Sequence, residues 1–244
     1  MDDKSALKAE LAELSERIAS LQRPFFAAAR RALLVILQGR DASGKDGTIR
    51  AVFSGVNPMG LQVTSFRKPT EEELAHDFLW RVHRAIPPRG MIGLFNRSHY
   101  EDVLVVRVNN LVPREAWEAR YDQINAFERH LTANGVVILK FFLDISREEQ
   151  RNRLIERLED PEKNWKFNPG DLQEREKWEA YTTAYETALQ RCSPPECPWH
   201  VVPADRNTVR NVLVARKVAE TLESLGSKFP SADPAVLRLK ESIT

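Results

Sequence analysis

Seven consecutive residues, Gly39-Arg40-Asp41-Ala42-Ser43-Gly44-Lys45, carry the densest chemical signal in this 244-residue chain. They fit the pattern G-x-x-x-x-G-K and stand between an apolar run, ALLVILQ (32–38), and a helical pattern from Asp46 to about Phe53. A tight glycine loop turns backbone N–H groups onto phosphate oxygens. The helix behind it adds partial positive charge, and a lysine bridges phosphates as a point charge. The chemistry predicted is phosphate binding and phosphoryl transfer, with Gly39, Ala42, Ser43, Gly44, Lys45, Asp46 and Gly47 forming the cradle. The hydroxyl residue that usually follows the lysine and holds a metal is replaced by Asp46, and a second acid, Asp41, stands inside the loop. Carboxylates beside phosphate repel it unless cations intervene, so the pair points to a metal-dependent site. Asp46 also fits an ordinary first-turn acid that balances the helix dipole.

A second cluster follows the run MIGLF: Asn96-Arg97-Ser98-His99-Tyr100-Glu101-Asp102. In phosphate-loop enzymes a carboxylate at the end of a neighbouring strand holds the metal water. Asn96 has no charge and is a poor anchor, so Glu101 and Asp102 are the acids that can replace it. Arg97 can pair with phosphate oxygens. Ser98 and Glu101 equally fit a helix capping box, and a lone His99 more often serves structure than catalysis. Between 147 and 179, Arg147/Arg151 and Arg153/Arg157 are i,i+4 pairs that place two cations on one helix face, a face suited to a chain of phosphates. Ten acids share the segment with eight basic residues, so a solvated, salt-bridged helix explains it as well. Pro161 and Asn168-Pro169-Gly170 supply hinges, as a lid needs.

The elements that must hold these residues alternate in kind. Strands are expected at 32–38, 61–66, 91–95, 136–143 and 199–204. Helices are expected at 3–22 (ended by Pro24), 46–53, 71–84, 100–108, 114–131, across a broken 146–190, and at 206–225. That order predicts an α/β fold, a parallel sheet with helices on both faces. No linker divides the chain, so one domain over 1–244 is expected, with an amphipathic helix in 1–23, a lid at 147–178 and a terminal arm at 228–244. With 36 Lys+Arg against 35 Asp+Glu the net charge is +1, which excludes a protein held to nucleic acid by bulk charge. No apolar run approaches the ~18 residues of a membrane span. Cys192 and Cys197 are too few for a disulfide framework, and the start lacks a signal-peptide core, so a cytoplasmic protein is expected.

Taken in order, GRDASGKDGTI (39–49), FRKPT (66–70), FNRSHYEDVLVVRV (95–108) and DPEKNWKFNPGDLQEREKWEAY (160–181) resemble the family-2 polyphosphate kinases, over about residues 10 to 225. The resemblance implies a P-loop kinase fold with a helical lid, similar to thymidylate kinases. It implies transfer of phosphoryl groups between inorganic polyphosphate and adenine or guanine nucleotides, with Mg²⁺, for which Mn²⁺ can substitute. It places Asp41, Lys45 and Asp46 at the phosphate loop and its metals, and Arg97 and Asp102 at the second motif. Lys68, Arg153, Arg157, Lys163 and Lys166 become polyphosphate contacts. Many members have Asp where this chain has Asn96. The metal role therefore passes to Asp102, with Glu101 beside the nucleotide, giving catalytic residues Asp41, Lys45, Arg97 and Asp102 and metal ligands Asp41, Asp46 and Asp102. NRSHYED is similar to the subgroup that also phosphorylates nucleoside monophosphates. The first helix suits a homodimer or homotetramer, and neither a nucleic-acid nor a membrane partner is expected. Two other readings share the loop: an ATP-dependent nucleoside monophosphate kinase, and a non-catalytic nucleotide or polyphosphate sensor.

Overall fold

The computed structural model describes residues 3–239 and Ile243. Five strands form one sheet: β1 (Ala32–Gln38), β2 (Leu61–Ser65), β3 (Ile92–Asn96), β4 (Val136–Asp144) and β5 (Trp199–Pro203), in spatial order β2-β3-β1-β4-β5. Every pairing is parallel, as the alternation of element types predicts. The helices are α1 (Asp3–Ala28), α2 (Lys45–Phe53), α3 (Glu71–Leu74), α4 (Trp80–Arg84), α5 (Val105–Val108) and α6 (Arg114–Ala133). After β4 come α7 (Arg147–Glu159), α8 (Gly170–Glu176), α9 (Trp178–Arg191), α10 (Asn207–Ser224) and α11 (Pro234–Arg238).

β1 shows why the sheet is covered twice. Its side chains alternate between faces. Leu33, Val35 and Leu37 join the core made with α1, α2 and α10, whereas Ala32, Leu34 and Ile36 join the core that holds Val82 of α4 and Leu131 of α6. All seven residues are buried, so the strand reads as a continuous apolar run. In register, Leu37 faces Asn96 on one side and Phe141 on the other. The chain segments leaving β1, β3 and β4 therefore emerge at one edge of the sheet, on either side of the point where the strand order reverses. That is where α/β sheets gather ligands.

Four boundaries differ from expectation. α1 runs through Pro24 to Ala28. The lost hydrogen bond is offset by burial of Phe25 in the core beyond the proline. The helix expected over 71–84 is two pieces. Thr70 and Glu73 form a reciprocal capping box that starts α3, and Asp77 accepts the Leu79 N–H (3.0 Å) where the chain restarts toward α4. Leu74, which a continuous helix over 71–84 would put on one face with Val82, is 67% exposed. The helix expected over 100–108 is a single 3₁₀ turn, His99–Asp102, followed by α5. The arm expected over 228–244 forms α11 within the described residues, whereas residues 240–242 and 244 lie outside them, as do residues 1 and 2 of the helix expected in 1–23. Cys192 and Cys197 are free and buried. Among the described residues no helix is long and apolar enough to cross a membrane.

Candidate active site

The phosphate loop, 39–45, is held by hydrogen bonds to its carbonyls from several elements. Lys45 Nζ donates to the carbonyls of Gly39 (2.8 Å) and Arg40 (3.1 Å). Gln150 Nε2 of α7 donates to that of Asp41 (3.1 Å), and Arg153 Nη1 to that of Ala42 (2.9 Å). Arg210 Nη1 of α10 donates to that of Ser43 (3.1 Å), and the Thr48 N–H to that of Gly44 (2.9 Å). With each carbonyl engaged, the loop's peptide dipoles are fixed, the preorganisation an anion cradle requires. Gly44 holds φ at 93° at the entry to α2, a left-handed conformation that a side chain resists. Ala42 (φ 62°) and Arg97 (φ 62°) adopt it without being glycine. Non-glycine residues held there cluster at functional sites.

A cleft of about 570 Å³ opens over the loop, within the size range of small-molecule sites. Six cations line it, Arg40, Arg67, Lys68, Arg81, Arg97 and Arg175, against four acids, Asp41, Glu101, Asp102 and Glu174. Its local charge is thus cationic although the chain's is near zero. Arg97 follows β3 and its backbone N–H donates to the Leu37 carbonyl (3.1 Å), which ties the second motif to the strand that feeds the loop. Its guanidinium donates to Asp41 Oδ1 (2.5 Å) and Glu101 Oε2 (3.1 Å). Glu101, first, and Asp41 raise the Arg97 pKa against the effect of burial. Glu101 therefore serves Arg97 rather than a capping box, and the Ser98 hydroxyl caps the turn by accepting the Tyr100 N–H (3.2 Å). Burial, then the neighbouring charge of Arg97, pushes the Lys45 pKa down to about 8.

The three carboxylates proposed for metal occupy different surroundings. Asp46 is exposed in the first turn of α2, and its Oδ1 accepts from Asn96 Nδ2. Asp41 faces the cleft beside Arg97. Asp102 lies on the cleft wall, nearly buried, and accepts from Arg120 Nη1 (2.9 Å). Burial raises its pKa while Arg120 and Arg81 oppose the shift. Among the described residues no three acidic, histidine or cysteine side chains converge as a metal cage. Mg²⁺ needs none, because it is commonly held by one or two carboxylates together with substrate phosphates and water. Asp41 within the loop and Asp46 directly after it, both hard oxygen donors, fit that requirement.

The cations expected on the lid divide. Lys68 lines the cleft. Arg153 sits on α7 but turns inward: Nη2 donates to the carbonyls of Ala204 (2.8 Å) and Asp205 (2.7 Å) while Nη1 holds Ala42. It braces the loop and presents no open cation. Arg157 pairs with Asp171 (3.3 Å), and Lys163 with Glu156 (2.6 Å) and Asp160 (2.8 Å). Lys166 lies over the Trp165 ring, 5.1 Å from its centroid. None of these four lines the cleft: Arg153 is used for bracing, and Arg157 and Lys163 for ion pairs.

Arg40, Gln150 and Arg210 are not singled out by sequence, and Arg175 only as one of the basic residues of the lid segment. Arg40 stacks on Trp178 of α9 (4.0 Å to the centroid) and donates to Thr182 Oγ1 (2.6 Å). Arg175 of α8 donates to Gln150 Oε1 (2.7 Å), so α7 links the loop to the lid segment. Arg210 had a visible signal. It occupies the stripe Arg210, Val214, Val218, Leu222, spaced by four residues, and a cation on the apolar face of a helix has a reason to be there. His99 is fully buried, its Nε2 meets Glu128 Oε1 (3.2 Å), and it does not line the cleft.

Comparison with known proteins agrees with this geometry. The polyphosphate kinase 2 (PPK2) family model matches residues 1–230. A relative from Meiothermus ruber, described as an AMP/ADP-polyphosphate phosphotransferase, is 53% identical over 95% of this chain and 87% of its own. One from Rhodopseudomonas palustris, described as an ADP-polyphosphate phosphotransferase, is 48% identical over 90% of this chain and 80% of its own. The crystal structure of polyphosphate kinase 2 from Arthrobacter aurescens TC1 superposes with a TM-score of 0.95 at 41% identity, covering 100% of this chain and 88% of that one. With its phosphate loop braced on every carbonyl and its second motif joined to that loop through Arg97 and Asp41, this chain belongs to the polyphosphate kinase 2 family.

Proposed function

We propose that this protein transfers phosphoryl groups between inorganic polyphosphate and nucleoside mono- and diphosphates, making ADP from AMP and ATP from ADP, with guanine nucleotides as further acceptors. The observation that carries the proposal is the braced loop 39–45 beneath a cleft of about 570 Å³ in which six cations outnumber four acids, which gives room and positive charge for a chain of phosphates. The Meiothermus ruber relative, described as acting on both AMP and ADP, supports the broad acceptor range. Lys45 and the loop N–H groups bind the phosphate to be transferred. Arg97 shifts from Asp41 toward phosphate oxygens as they arrive, and Lys68 and Arg175 hold the distal chain. Mg²⁺, or Mn²⁺ in its place, carried by Asp41 and Asp46, would neutralise charge on the phosphates. Asp102, fixed by Arg120, orients the acceptor side of the cleft. An acceptor phosphate oxygen is already ionised, so no base is needed, and the buried His99 supplies none.

The test is ATP formation from ADP, and ADP formation from AMP, with long-chain polyphosphate and Mg²⁺ as sole additions. Product from both acceptors, lost in Lys45→Ala, is expected. Product from ADP alone refutes the broad acceptor range. Turnover of AMP with ATP but none with polyphosphate means a monophosphate kinase, and binding without turnover means a sensor.

A further inference from the structure

One cation beneath the loop plays no part in that scheme. Arg210 is 2% exposed, and every acceptor it meets is neutral. Nη1 donates to the Ser43 carbonyl (3.1 Å) and to Asn207 Oδ1 (2.7 Å), while Nε (3.1 Å) and Nη2 (3.0 Å) share Asn211 Oδ1. No carboxylate pairs with it among the described residues, and the charge that acts on it is the like charge of Arg153. Burial, then Arg153, lowers its pKa to about 10, so it is charged at neutral pH. A buried, unpaired charge is strongly unfavourable.

Its place gives the charge a use. The guanidinium is packed against Gly44: a Cβ there would lie 2.0 Å from Nη1 and 2.6 Å from Cζ. Asn211, which orients the guanidinium, is also bonded to Thr48 Oγ1 (3.2 Å) of α2. Arg210 therefore stands behind the loop at the N-terminus of α2, outside the cleft lining, where its field adds to that of the helix end. A residue needed only to fill this space would not have to be charged, and one needed only to bond Ser43 would find a carboxylate partner useful.

We propose that Arg210 is a positioning residue for phosphoryl transfer, whose unpaired buried charge takes the loop-bound phosphate as its counterion. It holds the Ser43 carbonyl away from the anion and draws phosphate onto the loop from behind. The inference rests on loop 39–45 being the phosphate site.

The experiment uses tripolyphosphate as probe on the full chain, with calorimetry for affinity, thermal unfolding with and without probe, and steady-state kinetics. Arg210→Met keeps volume and removes charge, whereas Arg210→Lys keeps charge and removes the fork. Arg210→Met is expected to unfold, without probe, no lower than the wild type. It should bind tripolyphosphate about tenfold or more weakly, the scale of one partly screened charge at short range, and raise KM for polyphosphate more than it lowers kcat. Arg210→Lys should return affinity to within about threefold of the wild type, since the charge is retained. Wild-type affinity in Arg210→Met, or a Lys variant as weak as the Met variant, overturns the proposal. If Arg210→Met does not fold, Arg210→Lys alone decides on the same threshold. If tripolyphosphate does not stabilise the wild type, or stabilises Lys45→Ala equally, the phosphate-loop reading itself has failed and this inference falls with it.

Discussion

The stretch that carries Arg97 and Asp102 is anchored from below by a buried ionic network, and cutting one strand of it should be costly. Glu128 of α6, Lys140 of β4 and His99 are each 0% exposed. Lys140 Nζ donates to Glu128 Oε2 (2.6 Å), to the Tyr100 hydroxyl (3.0 Å) and to the Cys192 carbonyl (2.8 Å). Tyr100 and His99 both reach Glu128 Oε1 (2.8 and 3.2 Å). Removing one partner strands a charge where water cannot follow, a loss of about 3–5 kcal/mol. For a domain of this size each kcal/mol lowers the unfolding midpoint by about 2–4 °C, so Lys140→Met and Glu128→Leu should each fall by about 6–20 °C. The double variant removes both charges and should cost clearly less than the sum. A double-mutant cycle from urea unfolding reads the coupling directly. Because the 3₁₀ turn hangs from this network, the single variants should also raise KM at temperatures where they remain folded. Losses below about 1 kcal/mol for both single variants, or an additive double, would refute the view that the network holds the motif.

Three further outcomes are expected. Asp41→Asn, Lys45→Ala and Asp102→Asn should each lower turnover by about 10²-fold or more with unfolding midpoints near the wild type, and near-normal turnover in any one removes that residue from the site. Gly44→Ala meets both a φ of 93° and the Arg210 guanidinium, so it should abolish tripolyphosphate binding and destabilise the fold by about 1–3 kcal/mol; an unchanged midpoint would show that the loop relaxes freely. Burial works to raise the Glu128 pKa, but its bonds to His99 and Lys140 prevail and hold it below its ordinary 4.5. That carboxylate therefore adds stability that is present above pH 4.5 and lost as pH falls through its lower folded value. Glu128→Gln should flatten this acid limb in pH-dependent unfolding, and parallel curves for the two proteins would contradict it.

What sequence could reveal followed from how far each signal reaches. The parallel sheet was legible because β1 and β4 are apolar runs bounded by turn residues, and the loop was legible because Gly39, Gly44 and Lys45 fall within one short stretch of chain. Helix ends were less so. Pro24 ends a helix by local rules, and the burial of Phe25 overrides them. Leu74 fits a helical face whose continuity Asp77 breaks. For the lid cations, i,i+4 spacing says which side chains share a face and not what that face meets: Arg153 meets carbonyls of the loop and of residues 204 and 205. The buried network was written in the sequence as misfits, Lys140 inside VVILKFFL and Glu128 on the Tyr121, Ile124, Leu131 stripe. A charge among apolar residues announces a partner, but only the fold brings α6, β4 and the 99–100 turn together.

The pairing of Asp46 with Asn96 bears on how the site carries its charge. Asn96 Nδ2 donates to Asp46 Oδ1, a contact between a neutral donor and one carboxylate. An aspartate at 96 would bring two carboxylates into contact, a pair that is stable only with a cation or proton between them. With asparagine, Asp46 is oriented without a metal. Arg97 plays the corresponding part for Asp41, and Arg120 for Asp102. Each acid of the site thus has a donor that holds it in place before substrate arrives, so the loop does not collapse onto its own carboxylates. On the proposed reading, phosphate would enter by exchange: Arg97 would give up part of its hold on Asp41, and Asp41 would then be one of the residues able to hold a cation. Acids inside an anion site are compatible with tight phosphate binding on this arrangement, because their charge is balanced at every stage by a group already within hydrogen-bonding reach.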